Sequence, residues 1–493
     1  MKKKDTIYFV AIFFILLFGF LFRLKAYLSC RPVWLDETFL FFNIYKKGFL
    51  SFFSILDLCQ SAPPLFLGIE KIFVSIFGIK EFSLRLFPFL CSFASLPAFY
   101  FFSKSILNKR ISIIIANILF SVNLYLIFYS QELKQYSLDV LCFMLLFLFF
   151  KNLSIKDFNA KNTIKYIIIS VISPFLSLIS FFPISAWVVR ELIIHRIQFI
   201  KKLFITQIPL ILLSIYYYFC MLKPQRQNIL DVSADFWGQG FLSFNLQNDI
   251  TLVKNILLYI FQPCNYYILL FILLLIGMGI LIRNFKRKEI LLLLIISAEI
   301  LIASFLQVYP IFERASLFLI PVVIVTISMC FDICDFNHLS KKIYSIGIII
   351  LFLISVHNYN YKYLTKRIIG KVTSYSNAKL MMQILKEQYN PDDTVIISKP
   401  SRTEYLYYKL YYKFKPKKQI YTDNAFPLKG EHEEELNRIT KDNEKYWFFY
   451  SMDYTNEKLT RTALENWKNE YKVLYENEKL KKKNKSYILY LQR

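Results

Sequence analysis

Glycine is scarce in this chain, 11 of 493 residues, and histidine scarcer still at 4. The histidines (His195, His338, His357, His432) are scattered, and none lies near an acidic loop. That argues against a histidine-based zinc site and against a serine–histidine triad. The 8 cysteines form no metal-binding pattern. Cys91, Cys142 and Cys330 fall inside apolar runs, where they pack. Cys30 and Cys59 share one early loop, where an oxidising compartment would permit a bridge. Acids are also in short supply, with 35 Asp and Glu against 60 Lys and Arg, for a net charge of +25.

Apolar residues are what the chain has in excess. It is 56% hydrophobic and 18% aromatic, with a mean hydropathy of +0.41. Many apolar runs reach bilayer-spanning length, beyond what an ordinary soluble domain carries. The positive charge alone would suit a nucleic-acid binder. However, the Lys and Arg residues gather in short loops between apolar runs, the pattern of a multispan membrane protein, so no nucleic-acid partner is expected.

The first run, 7–28, follows Lys2-Lys3-Lys4, which places the N-terminus in the cytoplasm. It is long and no small-residue cleavage site follows, so it reads as a span rather than a signal peptide. Further spans are expected at 83–107, 111–129, 134–151, 163–177, 178–199, 203–222, 263–282, 289–307, 315–332 and 342–358. The stretch 163–199 reads as two short helices split near Pro174; one long helix would invert everything after it. From Pro63-Pro64 to Phe77-Gly78 the apolar part is only about sixteen residues and holds Glu70 and Lys71, which is marginal for a span. Reading it as an interfacial helix gathers Lys109, Arg110, Lys151, Arg190, Lys201, Arg283, Arg287 and Lys342 into inside loops. The expected topology is therefore about eleven spans, N-terminus inside and C-terminus outside.

Beyond residue 370 the composition changes. Residues 1–370 read as a polytopic α-helical transmembrane domain, and 371–493 as a soluble extracytoplasmic α/β domain. Strands are expected at 394–398, 419–422, 445–451 and 485–491, with helices at 377–389, 401–413, 431–441 and 456–470, in a mainly parallel sheet. The segment 471–491 reads as a hairpin turning at Lys481-Lys482-Lys483-Asn484. This stretch holds no phosphate-binding glycine loop and no nucleophile motif, so it points to a structural or acceptor-docking role.

Two acidic motifs stand out beside the spans: Trp34-Leu35-Asp36-Glu37, and Glu132 within Tyr129-Ser130-Gln131-Glu132-Leu133-Lys134-Gln135-Tyr136. Carboxylates at membrane spans are costly, which makes each a functional-site hypothesis. The expected topology puts Asp36, Glu37, Arg85, Glu132, Lys134 and Arg314 on the outer side. An outer-loop carboxylate can take a proton from an attacking hydroxyl, and fixed cations can stabilise a leaving phosphate. The competing reading is that these charges only cap or anchor helix ends.

The first half resembles the GT-C glycosyltransferases, specifically the protein O-mannosyltransferase and lipid A aminoarabinose transferase group. The matching residues are Trp34-Leu35-Asp36-Glu37, Ser61-Ala62-Pro63-Pro64-Leu65-Phe66, Phe77-Gly78, Glu81-Phe82-Ser83-Leu84-Arg85-Leu86 and Ser130-Gln131-Glu132-Leu133-Lys134-Gln135-Tyr136. Tyr309-Pro310-Ile311-Phe312-Glu313-Arg314 resembles the outer-loop arginine motif of bacterial members. The resemblance implies a base role for Asp36 and a polyprenyl-phosphate sugar as donor. Two departures stand against it: Lys134 occupies a position where relatives carry Arg, losing bidentate phosphate geometry, and the C-terminal stretch lies outside the shared core.

These readings converge on a membrane glycosyltransferase at the outer face of a bacterial-type cytoplasmic membrane. Its partners would be membrane lipid, a polyprenyl-phosphate sugar and an acceptor hydroxyl on a lipid, glycan or protein. Asp36 is expected as base, Glu37 and Glu132 to orient the acceptor or hold a divalent metal ion, and Arg85, Lys134 and Arg314 to bind donor phosphate. The alternatives are a lipid-linked sugar flippase or exporter, and a glycan polymerase or ligase of related architecture. A transporter would more naturally carry midplane charges and internal repeats, and neither is found.

Overall fold

The computed structural model describes residues 3–195, 199–225, 238–261, 267–333, 342–343, 345–347, 350, 376–422, 438–440, 444–450, 472–476 and 487–492. Two compact units form. One comprises residues 1–29, 46–76 and 84–371; the other comprises 30–45, 77–83 and 372–493.

The first unit is helical. Its elements are α1 (Lys3–Leu28), α3 (Pro64–Phe77), α4 (Glu81–Ile106), α5 (Arg110–Ser121), α6 (Leu124–Tyr129), α7 (Tyr136–Asn152), α8 (Ala160–Leu176), α9 (Phe181–His195) and α10 (Ile200–Tyr216). Then come α11 (Leu246–Phe261), α12 (Tyr267–Arg283), α13 (Lys288–Phe305) and α14 (Ile320–Ser328). Among the described residues, five helices are long and apolar enough to cross a membrane: Asp5–Leu28, Glu81–Ile106, Leu178–His195, Ile200–Gln225 and Arg314–Asp332. Most of the expected run 342–358 lies outside the described residues.

Three departures from the sequence reading have local causes. The run 111–129 is broken, because α5 stops at Ser121 and Asn123 caps α6 by accepting from the Tyr125 and Leu126 amides. The buried Arg23 guanidinium of α1 seals the break, donating to the Ser121 carbonyl at 2.9 Å and to Ser92 Oγ at 2.9 Å. The second departure is α11, which falls where only a loop was read. The third is a π turn at Tyr217–Leu222 after α10. The break near Pro174 is present: α8 ends at Leu176, and Ser177 leads through a 3-10 turn into α9.

The helix-end ties sort the loops into two sets. In one, Arg110 pairs with Asp5 at 2.5 Å, Asp332 accepts from the Asn108 and Lys109 amides, and Arg287 donates to the Ile106 carbonyl. Arg190 caps the end of α7 through the Phe150 and Leu153 carbonyls, and Lys202 donates to the Phe158 carbonyl. In the other, the Leu56 amide donates to Gln225, Tyr216 to the Phe53 carbonyl, Ser29 to Gln131 and Lys134 to Gln60.

At 14 residues α3 is about 21 Å long, short of the ~30 Å hydrocarbon core. Phe66 and Phe73 pack on Phe87 of α4, and Glu70, between them on the same face, is fully buried. Among the described residues neither Glu70 carboxylate oxygen has a hydrogen-bond partner, and burial holds the group well above the usual carboxylate range. The folded chain keeps a proton that the unfolded chain releases above about pH 4.5, so stability falls as pH rises from there toward the folded value. Glu70→Gln is expected to remove this fall. Thermal unfolding of the detergent-solubilised protein at pH 5 and pH 8 checks it: a variant no more stable than the parent at pH 8 would mean that Glu70 is ionised and partnered.

The second unit contains α2 (Leu35–Lys46), α15 (Ala378–Gln388), α16 (Arg402–Tyr411) and a five-stranded sheet of order β2-β1-β3-β5-β4. The strands are β1 (Thr394–Ile397), β2 (Lys418–Tyr421), β3 (Lys445–Tyr450), β4 (Lys472–Glu476) and β5 (Tyr487–Gln492). α15 buries Ala378, Met381, Met382 and Leu385 at helical spacing. β1 is flanked in parallel by β2 and β3, with Ile396 opposite both Ile420 and Phe448. β5 runs antiparallel between β3 and β4, so the sheet is mixed where a mainly parallel one was read. The link from β4 to β5 is too short for a crossover and permits only antiparallel pairing. The expected helices at 431–441 and 456–470 lie almost wholly outside the described residues.

Candidate active site

α2 begins just after Trp34 and carries both acids of the first motif in its first turn, where negative charge suits the helix dipole. Their environments differ. Glu37 is fully buried, and its carboxylate accepts from the Trp34 amide at 3.4 Å, one half of a capping box. Asp36, one position earlier, points elsewhere around the helix and is only partly buried. Of the pair, Asp36 is the more exposed.

The second acidic motif is a loop between α6 and α7 that is buried almost throughout. Ser130, Gln131, Glu132, Leu133 and Lys134 are each 5% exposed or less. A buried loop needs partners for its polar groups, and this one is pinned at several points. Ser137 Oγ donates back to the Tyr129 carbonyl at 3.0 Å, and the Tyr129 and Tyr136 rings meet edge to face at 5.4 Å. The Lys134 amide closes on the Glu132 carbonyl at 2.7 Å. Lys134 Nζ donates to Gln60 Oε1 at 2.6 Å, joining the loop to the segment that precedes Ser61-Ala62-Pro63-Pro64.

Arg314 places its guanidinium 5.9 Å from the centre of the Tyr136 ring, two residues beyond Lys134. Glu132, Lys134 and Arg314 are thus assembled around one loop. Arg85 is buried on α4 at 1% exposure. Asp36 and Glu37 belong to the second unit. Sequence reasoning passed over Gln60 and Tyr136 as site residues; both border the quoted motifs, and that adjacency was the available signal. Cys30 and Cys59 are both partly buried. Among the described residues no group of three or more His, Cys, Asp or Glu has metal-holding geometry, so the ion-holding role considered for Glu37 and Glu132 finds no ligand set there.

No protein-family model matches the chain, and no curated relative matches it by sequence. Similarity to solved structures is extensive. The apo crystal structure of ArnT from Cupriavidus metallidurans matches with a TM-score of 0.54 at 10% identity, over 98% of this chain and 98% of that one. The same enzyme bound to undecaprenyl phosphate matches with a TM-score of 0.50 at 9% identity, over 97% and 98%. The chain shares the fold of ArnT. A partial likeness, TM-score 0.44 at 13% identity, extends to the archaeal oligosaccharyltransferase AglB from Archaeoglobus fulgidus. The match to ArnT, over 98% of this chain, is not confined to the first half, where the sequence motifs lie.

Proposed function

We propose that this chain is a multi-pass membrane glycosyltransferase that moves a sugar from a polyprenyl-phosphate donor to an acceptor hydroxyl. The observation that carries this reading is the buried Ser130–Tyr136 loop, which holds Lys134 against Gln60 and Tyr136 against Arg314. Support comes from a fold shared end to end with ArnT, one structure of which holds undecaprenyl phosphate.

In this mechanism Asp36 accepts the proton of the acceptor hydroxyl as its oxygen bonds to the anomeric carbon. The bond from that carbon to the phosphate oxygen breaks, and the electron pair leaves with the polyprenyl phosphate. Lys134, Arg314 and Arg85 stabilise the charge that develops on the phosphate, most effectively where water is excluded. Glu132 orients the acceptor, and Glu37 supports Asp36 by fixing the start of α2. Mass spectrometry of glycolipids and glycans from a deletion strain tests the reading. An unchanged profile, together with no transfer by the purified protein from any polyprenyl-phosphate sugar, would overturn it.

The chemistry is assigned to the outer face of the cytoplasmic membrane, with the second unit extracytoplasmic. In a cysteine-free background, Lys415→Cys is expected to react with a membrane-impermeant thiol reagent in whole cells. Lys286→Cys, in the basic loop after α12, should react only after the inner membrane is permeabilised. The reverse pattern would invert the topology.

A further inference from the structure

We infer that Tyr408 and Thr403 of α16 are positioning residues for Asp36, so that the C-terminal part of the chain sets the geometry of the proposed base. This rests on the assignment of Asp36 as base and adds a role for residues more than 360 positions away.

The second unit builds a clamp on α2. The Tyr408 hydroxyl accepts from the Val33 amide at 2.7 Å, three residues before Asp36. The same hydroxyl donates to Glu81 Oε1 at 3.4 Å, and Lys379 Nζ of α15 reaches that oxygen at 2.8 Å. One turn earlier on α16, Thr403 Oγ1 accepts from Thr38 Oγ1 at 3.0 Å, two residues after Asp36. The Phe41 and Tyr407 rings meet edge to face at 4.9 Å, and the Tyr407 hydroxyl donates to the Ile79 carbonyl at 2.8 Å. Asp36 therefore sits on a helical turn held on both sides by α16.

Tyr405, Tyr407 and Tyr408 are all fully buried. Burial of their rings would satisfy packing alone, and phenylalanine would serve as well. What the hydroxyls of Tyr408 and Tyr407 add is attachment to backbone at Val33 and Ile79, which fixes position rather than bulk. A misplacement of about 1 Å in a reacting group can cost on the order of 10²-fold in rate, so a clamp of this kind has catalytic leverage.

The experiment compares Tyr408→Phe, Thr403→Val, Asp36→Asn and Tyr408→Phe/Asp36→Asn in the full-length protein, measuring kcat, donor KM and unfolding temperature. Tyr408→Phe is expected to lower kcat by about 10-fold, with donor KM within about twofold of the parent, since only a misplaced catalytic group is involved. In the Asp36→Asn background the same change should lower kcat no further, because there is no base left to position. Losses that multiply in the double variant, or a kcat unchanged in both Tyr408→Phe and Thr403→Val, would overturn the inference. If Tyr408→Phe does not fold, Thr403→Val, which deletes only the bond to Thr38, provides the same comparison. Inactive Asp36→Asn beside fully active Tyr408→Phe and Thr403→Val removes the positioning role alone, whereas fully active Asp36→Asn removes the base assignment and this inference with it.

Discussion

Asp36→Asn is expected to lower sugar transfer by on the order of 10²–10⁴ while leaving donor binding intact. The amide keeps the shape of the side chain and its hydrogen-bonding capacity but cannot accept the acceptor's proton. The neighbouring Glu37 gives the control. Its carboxylate is buried against the Trp34 amide, and a glutamine oxygen can accept the same bond, so Glu37→Gln should retain most activity. Glu37→Ala removes the cap and should cost about 1 kcal/mol of stability, with a loss of kcat far smaller than that of Asp36→Asn. Transfer and donor binding measured on the same purified variants separate these outcomes. Full transfer by Asp36→Asn would end the base assignment, and equal losses in both positions would reduce the motif to helix capping.

Part of the helix layout is legible in the sequence because apolar runs, and the charges between them, mark where helices begin and end. Arg110, Arg190 and Arg287 fall between apolar runs, and the structure ties each to the end of a neighbouring helix. The break near Pro174 was visible because proline cannot continue the hydrogen-bond ladder on its own. Other features left no periodic trace. α5 ends because Arg23, 98 residues earlier, claims the Ser121 carbonyl, and no local pattern announces that. α11 lay hidden in a stretch whose apolar residues are interleaved with Gln247, Asn248, Asp249 and Lys254. At the site, the acids and cations could be named from motifs, but their partners could not. Gln60 meets Lys134 across 74 residues and Tyr408 meets Val33 across 375, through single side-chain atoms that hydropathy does not register.

The second large effect is expected at Lys134. A charged hydrogen bond contributes about 1.5–3 kcal/mol, so Lys134→Gln should weaken binding of a polyprenyl phosphate by roughly 10- to 150-fold. Lys134→Arg should recover most of that binding, because it restores the charge and adds a fork suited to phosphate. Arg314→Ala should behave in the same direction, and Arg314→Lys should lose far less, if charge rather than fork geometry supplies most of the attraction. The decisive control is the uncharged polyprenol of the same chain length. Its binding depends on the apolar tail and should be the same in all four variants, whereas loss of phosphate binding should track loss of charge. If Lys134→Gln weakens alcohol and phosphate equally, Lys134 serves the loop through Gln60 and not the donor. If it weakens neither, the phosphate is held elsewhere and the cations at this loop return to the role of anchoring helix ends.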